Sequence, residues 1–213
     1  MQDIAILGAG GFGRELACII RAINSVTPTY NLIGFFDFSV PVGTDLGYGK
    51  VLGDFAEYNS WATPLCFIIG VASTGKLYKI PNDITNPNII FPNLIAPNVL
   101  FFDQESCKMG KGNIFTFNCR ISCNVKIGNF NTFNGGISLG HDVKIGNYNM
   151  LQPETRISGD TTVGDSNFFG VRSTVIQGIK IGNNVRIGAG SVVLRNTKND
   201  KLYMGNPAKI VDF

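Results

Sequence analysis

MGKGNIFTFNCRISCNVK (109–126), IGNFNTFNGGISLGHDVK (127–144), IGNYNMLQPETRISGDTT (145–162), VGDSNFFGVRSTVIQGIK (163–180) and IGNNVRIGAGSVVLRNTK (181–198) are consecutive rows of one unbroken stretch, cut every 18 residues. Along it every sixth residue is apolar: Met109, Phe115, Ile121, Ile127, Phe133, Leu139, Ile145, Leu151, Ile157, Val163, Phe169, Val175, Ile181, Ile187 and Val193. The chain is 44% apolar overall. In one frame, fifteen such hits arise by chance on the order of once in a hundred thousand, so the period is genuine. Six fits neither the 3.6-residue turn of a helix nor the simple alternation of a flat sheet. It fits a chain that turns a corner every six residues and closes a triangular coil after three.

A second period reinforces the first. Gly110, Gly128, Gly146, Gly164 and Gly182 recur once per row, as do Asn113, Asn131, Asn149 and Asn167. Glycine permits tight corners, and asparagines stacked about 4.8 Å apart can bond up and down as a ladder. The expected object is an all-β parallel β-helix with three flat faces over residues 106–198. The tail, 199–213, leaves the six-residue frame and is expected to fold back over the last coil, because an uncovered coil presents open strand edges.

Upstream the periodicity changes. DIAIL (3–7) runs into GAGGFGRE (8–15). Phe12, Leu16, Ile19, Ile20 and Ile23 follow at helical spacing, and LIGFFD (32–37) reads as a second buried strand. Strand, glycine turn, helix and strand form a βαβ unit. A short helix around Asp54–Trp61, a third strand at LCFIIG (65–70) and a helical turn at Lys76–Ile80 complete a small α/β domain over 1–80, half of a Rossmann-like fold. Residues 81–105, rich in Pro and Asn, read as a linker leading into irregular first coils.

Gly8, Gly10 and Gly13 match G-x-G-x-x-G in the context the motif requires, after a strand and at the start of a helix. Backbone N–H groups there can approach a phosphate at the positive end of the helix. Asp37, ending the second strand, is placed to meet a ribose hydroxyl. A bare strand-to-helix turn also calls for glycine, so the motif alone leaves both readings open. The second half of a dinucleotide fold is absent, which argues against a full NAD enzyme and for a nucleoside diphosphate joined to something else.

Net charge is +3 with no run of Lys or Arg, so neither nucleic acid nor a membrane surface is indicated. No stretch of about 18 apolar residues occurs, and the N-terminus lacks a cleavable signal; a cytoplasmic location is expected. Five cysteines without a C-x-x-C pair, and a single histidine, argue against a metal site. Cys119 falls in a small-residue column and is read as packing.

That histidine, His141, sits two residues after the core residue Leu139 and beside Gly140. Its column in the other rows holds Cys123, Gly159, Gln177 and Arg195, so it faces outward. An imidazole is the side chain suited to accept a proton near neutral pH. Gly159, one coil on, could offer an oxyanion donor through its N–H. Asp142 could raise the basicity of the ring, although successive strand side chains diverge and a solvated surface carboxylate is the alternative.

The hexapeptide rows, GAGGFGRE after a first strand, G-H-D within the repeat and GNPAK at Gly205–Lys209 together resemble bacterial hexapeptide-repeat sugar acyltransferases. The group includes sialic acid O-acetyltransferases and nucleotide-amino-sugar N-acetyltransferases. The resemblance implies a left-handed coil, a homotrimer, and acetyl-CoA in the groove between neighbouring β-helices. It implies His141 as general base with Asp142 as helper, Gly159 as the oxyanion amide, and Gly8, Gly10, Gly11, Phe12, Gly13 and Asp37 as the nucleotide-sugar site. The coenzyme groove falls on Gly170, Val171, Gly188 and Ala189, and on Met150, where some relatives carry a second histidine. Ile95-Ala96-Pro97 replaces the I-H-P that relatives often carry. The reading is transfer of an acetyl group to a nucleotide-linked amino sugar, without metal or acyl-enzyme. O-acetylation of a sialic acid or other sugar hydroxyl, and a non-catalytic trimeric sugar-binding module, are the alternatives. A zinc-dependent β-helix enzyme would need more histidines, and a nucleotidyltransferase a larger first domain.

Overall fold

The computed structural model describes residues 1–211, which divide into two compact units, Met1–Pro97 and a second that begins at Asn98. The first unit is a five-stranded sheet whose neighbouring strands all pair in parallel. Its elements in chain order are β1 (Gln2–Leu7), α1 (Gly11–Val26), β2 (Tyr30–Phe36), β3 (Val51–Gly53), α2 (Phe55–Asn59), β4 (Leu65–Ile69), α3 (Thr74–Asp83) and β5 (Ile89–Ile90). The spatial order is β3-β2-β1-β4-β5, which puts β1 at the centre. Covered on both faces, β1 and β4 are near-continuous apolar runs, and every residue of β4 is buried. α1 turns Leu16, Ala17, Ile19 and Ile20 inward, while Phe36, Tyr58, Phe67 and Ile89 form a core on which Trp61 packs.

Two strands of this sheet go beyond the three read from sequence. β3 is three residues long and β5 two, too short to carry a period, and β5 lies in the stretch expected to be linker. α3 likewise extends through ten residues where a single turn was expected.

The second unit is a left-handed parallel β-helix. Two-residue strands repeat along it, and strands 18 residues apart pair in register, as Arg120 with Ser138, Lys126 with Lys144 and Thr132 with Met150. Fourteen of the fifteen hexad residues are buried. Met109, the exception, lies on the terminal strand of its face with a neighbour on one side only. A second buried column is less apolar: Cys119, Asn131, Asn149, Thr155, Thr161, Asn167 and Ser173 all lie in it. Most of these polar groups bond to carbonyls or to each other, as burial requires; the Asn167 Nδ2, at the end of the ladder, has no partner among the described residues. The Asn131 and Asn149 side chains each donate to the asparagine one coil below at 3.0 Å, and Asn131 also donates to the Gly146 carbonyl. The ladder ends where Asn167 Oδ1 accepts from the Val185 N–H.

The tail adds a strand before it turns back. Leu202–Met204 pairs in parallel with Arg186–Ile187, 16 residues away, and Lys209–Val211 then runs antiparallel against Leu202–Met204. That hairpin covers the edge of one face of the coil.

Candidate functional site

The glycines at the start of α1 fall into two groups. Gly8 takes φ +111°, and a Cβ there would lie 2.6 Å from the Gly70 carbonyl oxygen. A Cβ on Gly13 would overlap the Gly8 carbonyl. Both are required by the turn itself. Gly10 and Gly11 are not, because a Cβ on either meets no atom within 4 Å and neither has a positive φ.

The end of α1 is also open electrostatically. Its N-cap, Gly10, supplies no side-chain acceptor. At α2, by contrast, Asp54 and Glu57 form a capping box that satisfies the first N–H groups. The first-turn donors of the 16-residue α1 therefore face the cleared space above Gly10 and Gly11. Phe12, in that turn, is half-buried.

Asp37 stands at this turn but is already engaged. Its Oδ2 accepts from the Ala9 N–H at 2.8 Å, and its Oδ1 from the Ser39 and Val40 N–H groups at 2.8 and 3.1 Å. Burial pushes this carboxyl up, but the three backbone donors, with Lys76, outweigh it and hold it below its ordinary value. Asp37 is thus a tie between the end of β2 and the glycine turn, with lone pairs left for a ligand hydroxyl.

In the β-helix, His141 and Asp142 sit at the corner between strands Ser138–Leu139 and Lys144–Ile145. His141 Nδ1 lies 2.8 Å from Asp142 Oδ2. The divergence expected of adjacent side chains does not apply, because Asp142 takes φ +60° and is a corner residue rather than a strand residue. An ionised carboxylate only accepts, so the bond puts the proton on Nδ1 and leaves Nε2 with its lone pair. The hydrogen bond from His141 holds the Asp142 carboxyl below its ordinary value against desolvation, with Asn124, the His141 charge and Lys144 adding to the effect.

The ring lies over Gly159. A Cβ on Gly159 would be 2.5 Å from His141 Nε2, and a Cβ on Gly140 would be 2.5 Å from the Gly159 nitrogen. Two glycines therefore clear the space that brings imidazole and N–H together. Among the described residues no acceptor is bonded to the Gly159 N–H.

Farther along, Gly170 repeats the arrangement: a Cβ there would lie 2.5 Å from the Ala189 nitrogen, another N–H without an acceptor among the described residues. Val171 and Ala189 are exposed, while Gly188 lies under the Met204 side chain. Met150, on strand Met150–Leu151, is only 1% exposed, so its thioether is packed and not offered to solvent. Cys119 is fully buried and burial pushes its thiol up to about 11.

Sequence reasoning named Gly140 only as the neighbour of His141 and did not read the groove beside Asp142. A groove of about 480 Å³ runs beside Asp142, with Ser106, Asn124, Asp142 and Asp160 along one edge and Lys108, Lys126 and Lys144 along the other. Both edges are columns of the 18-residue period, so the row alignment already contained them.

Two family models match the chain. The PglD N-terminal domain matches residues 3–76, and the bacterial transferase hexapeptide (six repeats) matches residues 160–195. Among solved structures, the acetyltransferase domain of PglB from Neisseria gonorrhoeae FA1090 superposes with TM-score 0.90 at 22% identity, over 99% of this chain and 100% of that one. WeeI from Acinetobacter baumannii AYE gives TM-score 0.87 at 23% identity, over 99% and 100%. PerB from Caulobacter crescentus, solved with CoA and GDP-perosamine, gives TM-score 0.85 at 24% identity, over 100% and 98%. No curated relative matches significantly. At these identities the likeness establishes the fold.

Proposed function

We propose that this chain, which joins a PglD-type N-terminal domain to a bacterial transferase hexapeptide repeat, is an acetyltransferase that moves the acetyl group of acetyl-CoA to the amine of a nucleotide-linked sugar. The observation that carries the reading is the His141–Asp142 pair held over Gly159. PerB with its bound CoA and GDP-perosamine, and the PglB domain with acetyl coenzyme A, support the two substrate classes.

Asp142 fixes the tautomer in which Nε2 is the base. The sugar amine attacks the thioester carbonyl carbon while Nε2 takes the amine proton. The carbonyl oxygen gains negative charge, and the Gly159 N–H donates to it. The C–S bond breaks as the C–O double bond re-forms, and CoA leaves as the thiolate. Direct transfer suffices, since His141 Nε2 faces a glycine and not a nucleophilic side chain. The open first turn of α1, over Gly10, Gly11 and Phe12, takes the phosphates, with Gly8 and Gly13 shaping the turn and Asp37 accepting from the sugar or ribose hydroxyls. Gly170, Val171, Gly188 and Ala189 line the coenzyme groove, where the Ala189 N–H is a free donor, and Met150 is buried in the isolated chain. A homotrimer completes that groove, a reading supported by the exposed apolar side chains Val171, Ile176 and Leu194 on the β-helix. No helix among the described residues is long and apolar enough to cross a membrane, in keeping with a cytoplasmic enzyme of glycan-precursor synthesis.

The test is release of CoA thiol from acetyl-CoA with a panel of GDP-, UDP- and dTDP-linked amino sugars, each compared with its hydroxyl analogue. Turnover with an amino sugar, lost in His141→Ala, is the expected result. Tight binding of a nucleotide sugar without turnover would instead make this a binding module, and turnover confined to hydroxyl acceptors would make it an O-acetyltransferase.

A further inference from the structure

The Asp142 corner recurs one coil above. Asp160 takes φ +53° against +60° for Asp142, its N–H donates to the His141 carbonyl at 2.8 Å, and both residues line one edge of the groove of about 480 Å³. With matching corner dihedrals and a bond between the coils, the two side chains leave the coil in the same direction, about 4.8 Å apart. What differs is the residue before each. Asp142 follows His141, and its carboxylate meets the imidazole at Nδ1, 2.8 Å away. Asp160 follows Gly159, so the place that a ring fills in the coil below holds no side chain from its own coil. It is the place toward which His141 Nε2 leans, 2.5 Å from where a Gly159 Cβ would be. Among the described residues the Asp160 carboxylate has no hydrogen bond and no ion pair. Nor does the corner call for an acid, since Phe130, Tyr148, Glu154, Ser166 and Arg172 take the same left-handed conformation, φ +54° to +62°, at other corners. Carboxylates stacked one coil apart repel each other, and of these two only Asp142 has a bond that offsets the repulsion.

We propose that Asp160 is a specificity-determining residue that selects an amine over a hydroxyl acceptor, an inference that rests on the acetyltransfer reading. A neutral sugar amine has two N–H groups and one lone pair. As the lone pair forms the N–C bond to the thioester carbonyl, one N–H gives its proton to Nε2. The other, which stays on nitrogen in the amide product, donates to the Asp160 carboxylate. That carboxylate also faces the positive charge that grows on nitrogen during the attack. A hydroxyl has a single O–H. Once that proton is directed at Nε2, only oxygen lone pairs are left to face Asp160, and acceptor against acceptor is repulsive.

The experiment compares wild type with Asp160→Asn and Asp160→Gly. Its substrates are acetyl-CoA and whichever GDP-, UDP- or dTDP-linked amino sugar turns over fastest, and the analogue with a hydroxyl in place of the amine serves as a competitive inhibitor. Glycine suits the position, because Gly178 holds the same column at φ +74°, and asparagine keeps the size while exchanging one acceptor for a donor. Both variants are expected to lower kcat/KM for the amino sugar about 10- to 10²-fold and to leave KM for acetyl-CoA within twofold. Ki of the hydroxyl analogue should hold or fall, most in Asp160→Asn, whose amide donates to the hydroxyl oxygen. Asp160→Asn should melt at or above wild type, since it relieves the repulsion from Asp142. If both variants keep the wild-type kcat/KM for the amino sugar, the Asp160 role is overturned and the acetyltransfer reading stands. An equal loss of affinity for the hydroxyl analogue would likewise overturn the selectivity, because the change would then be structural. If wild type turns over no amino sugar, the reading and the role both fail.

Discussion

The open end of α1 and the His141 corner are both built on glycines, but the glycines answer to different neighbours. At the corner, Gly140 and Gly159 make room for groups of the chain itself, a backbone N–H and an imidazole. At α1, Gly8 and Gly13 make room for backbone, whereas Gly10 and Gly11 make room for nothing in the chain. Glycines that the fold does not require point to a ligand, and glycines that it does require say nothing of one. The difference divides GAGGFGRE in two: the turn accounts for Gly8 and Gly13, and it leaves Gly10 and Gly11 as the positions at which a ligand role is to be tested.

The largest expected effect falls at the corner. His141→Ala removes the base and should lower kcat by about 10² to 10⁴, with an unchanged melting temperature because the ring is half exposed. Gly159→Ala comes next: the added methyl displaces Nε2, and kcat should fall by on the order of 10² while nucleotide-sugar KM holds. Similar turnover in wild type and Gly159→Ala would break the link between ring position and chemistry.

At the helix end the two pairs of glycines should separate cleanly. Gly8→Ala introduces a Cβ against the Gly70 carbonyl at a strained φ and should cost about 1–3 kcal/mol of stability, read as a lower melting temperature. Gly11→Ala should leave the melting temperature the same or higher, since alanine favours helix by up to about 1 kcal/mol, yet raise nucleotide-sugar KM about tenfold or more. If both substitutions act on stability alone, the open end of α1 is turn chemistry and binds nothing.

The smallest effect is on pH. Asp37 has a folded-state value depressed below the ordinary 3.8. The stability it contributes is therefore full above that value and lost as pH falls through the depressed one. Thermal melts of the native chain should drop below about pH 4, and Asp37→Asn should flatten that drop while lowering the melting temperature slightly at neutral pH. An unaltered acid limb would mean the three backbone bonds to Asp37 do not hold in solution.

Legibility followed the strength of the repeat. The hexad column was readable because one side chain per six residues must fill the interior of a triangular coil, and the asparagine ladder because identical residues fall 18 apart. The second buried column was harder, since cysteine, threonine, serine and asparagine in it satisfy their polar atoms on neighbouring carbonyls and carry no apolar signature. β3 and β5 were invisible for want of length, and the parallel strand within the tail because its register is 16 and not 18, although the folding back of the tail itself was expected.

By itself, then, the order of residues determined a triangular parallel coil, a βαβ unit ahead of it, and an imidazole on an outer corner with a glycine one coil above. Only the tertiary structure decided what those groups do to one another. Asp142 reaches His141 because the corner takes a left-handed backbone conformation, and Gly10 differs from Gly8 because of what lies within reach of a missing methyl. Periodicity fixes which residues share a column, whereas contact depends on backbone dihedrals and on coils 18 residues apart, and neither is a property of a residue and its sequence neighbours.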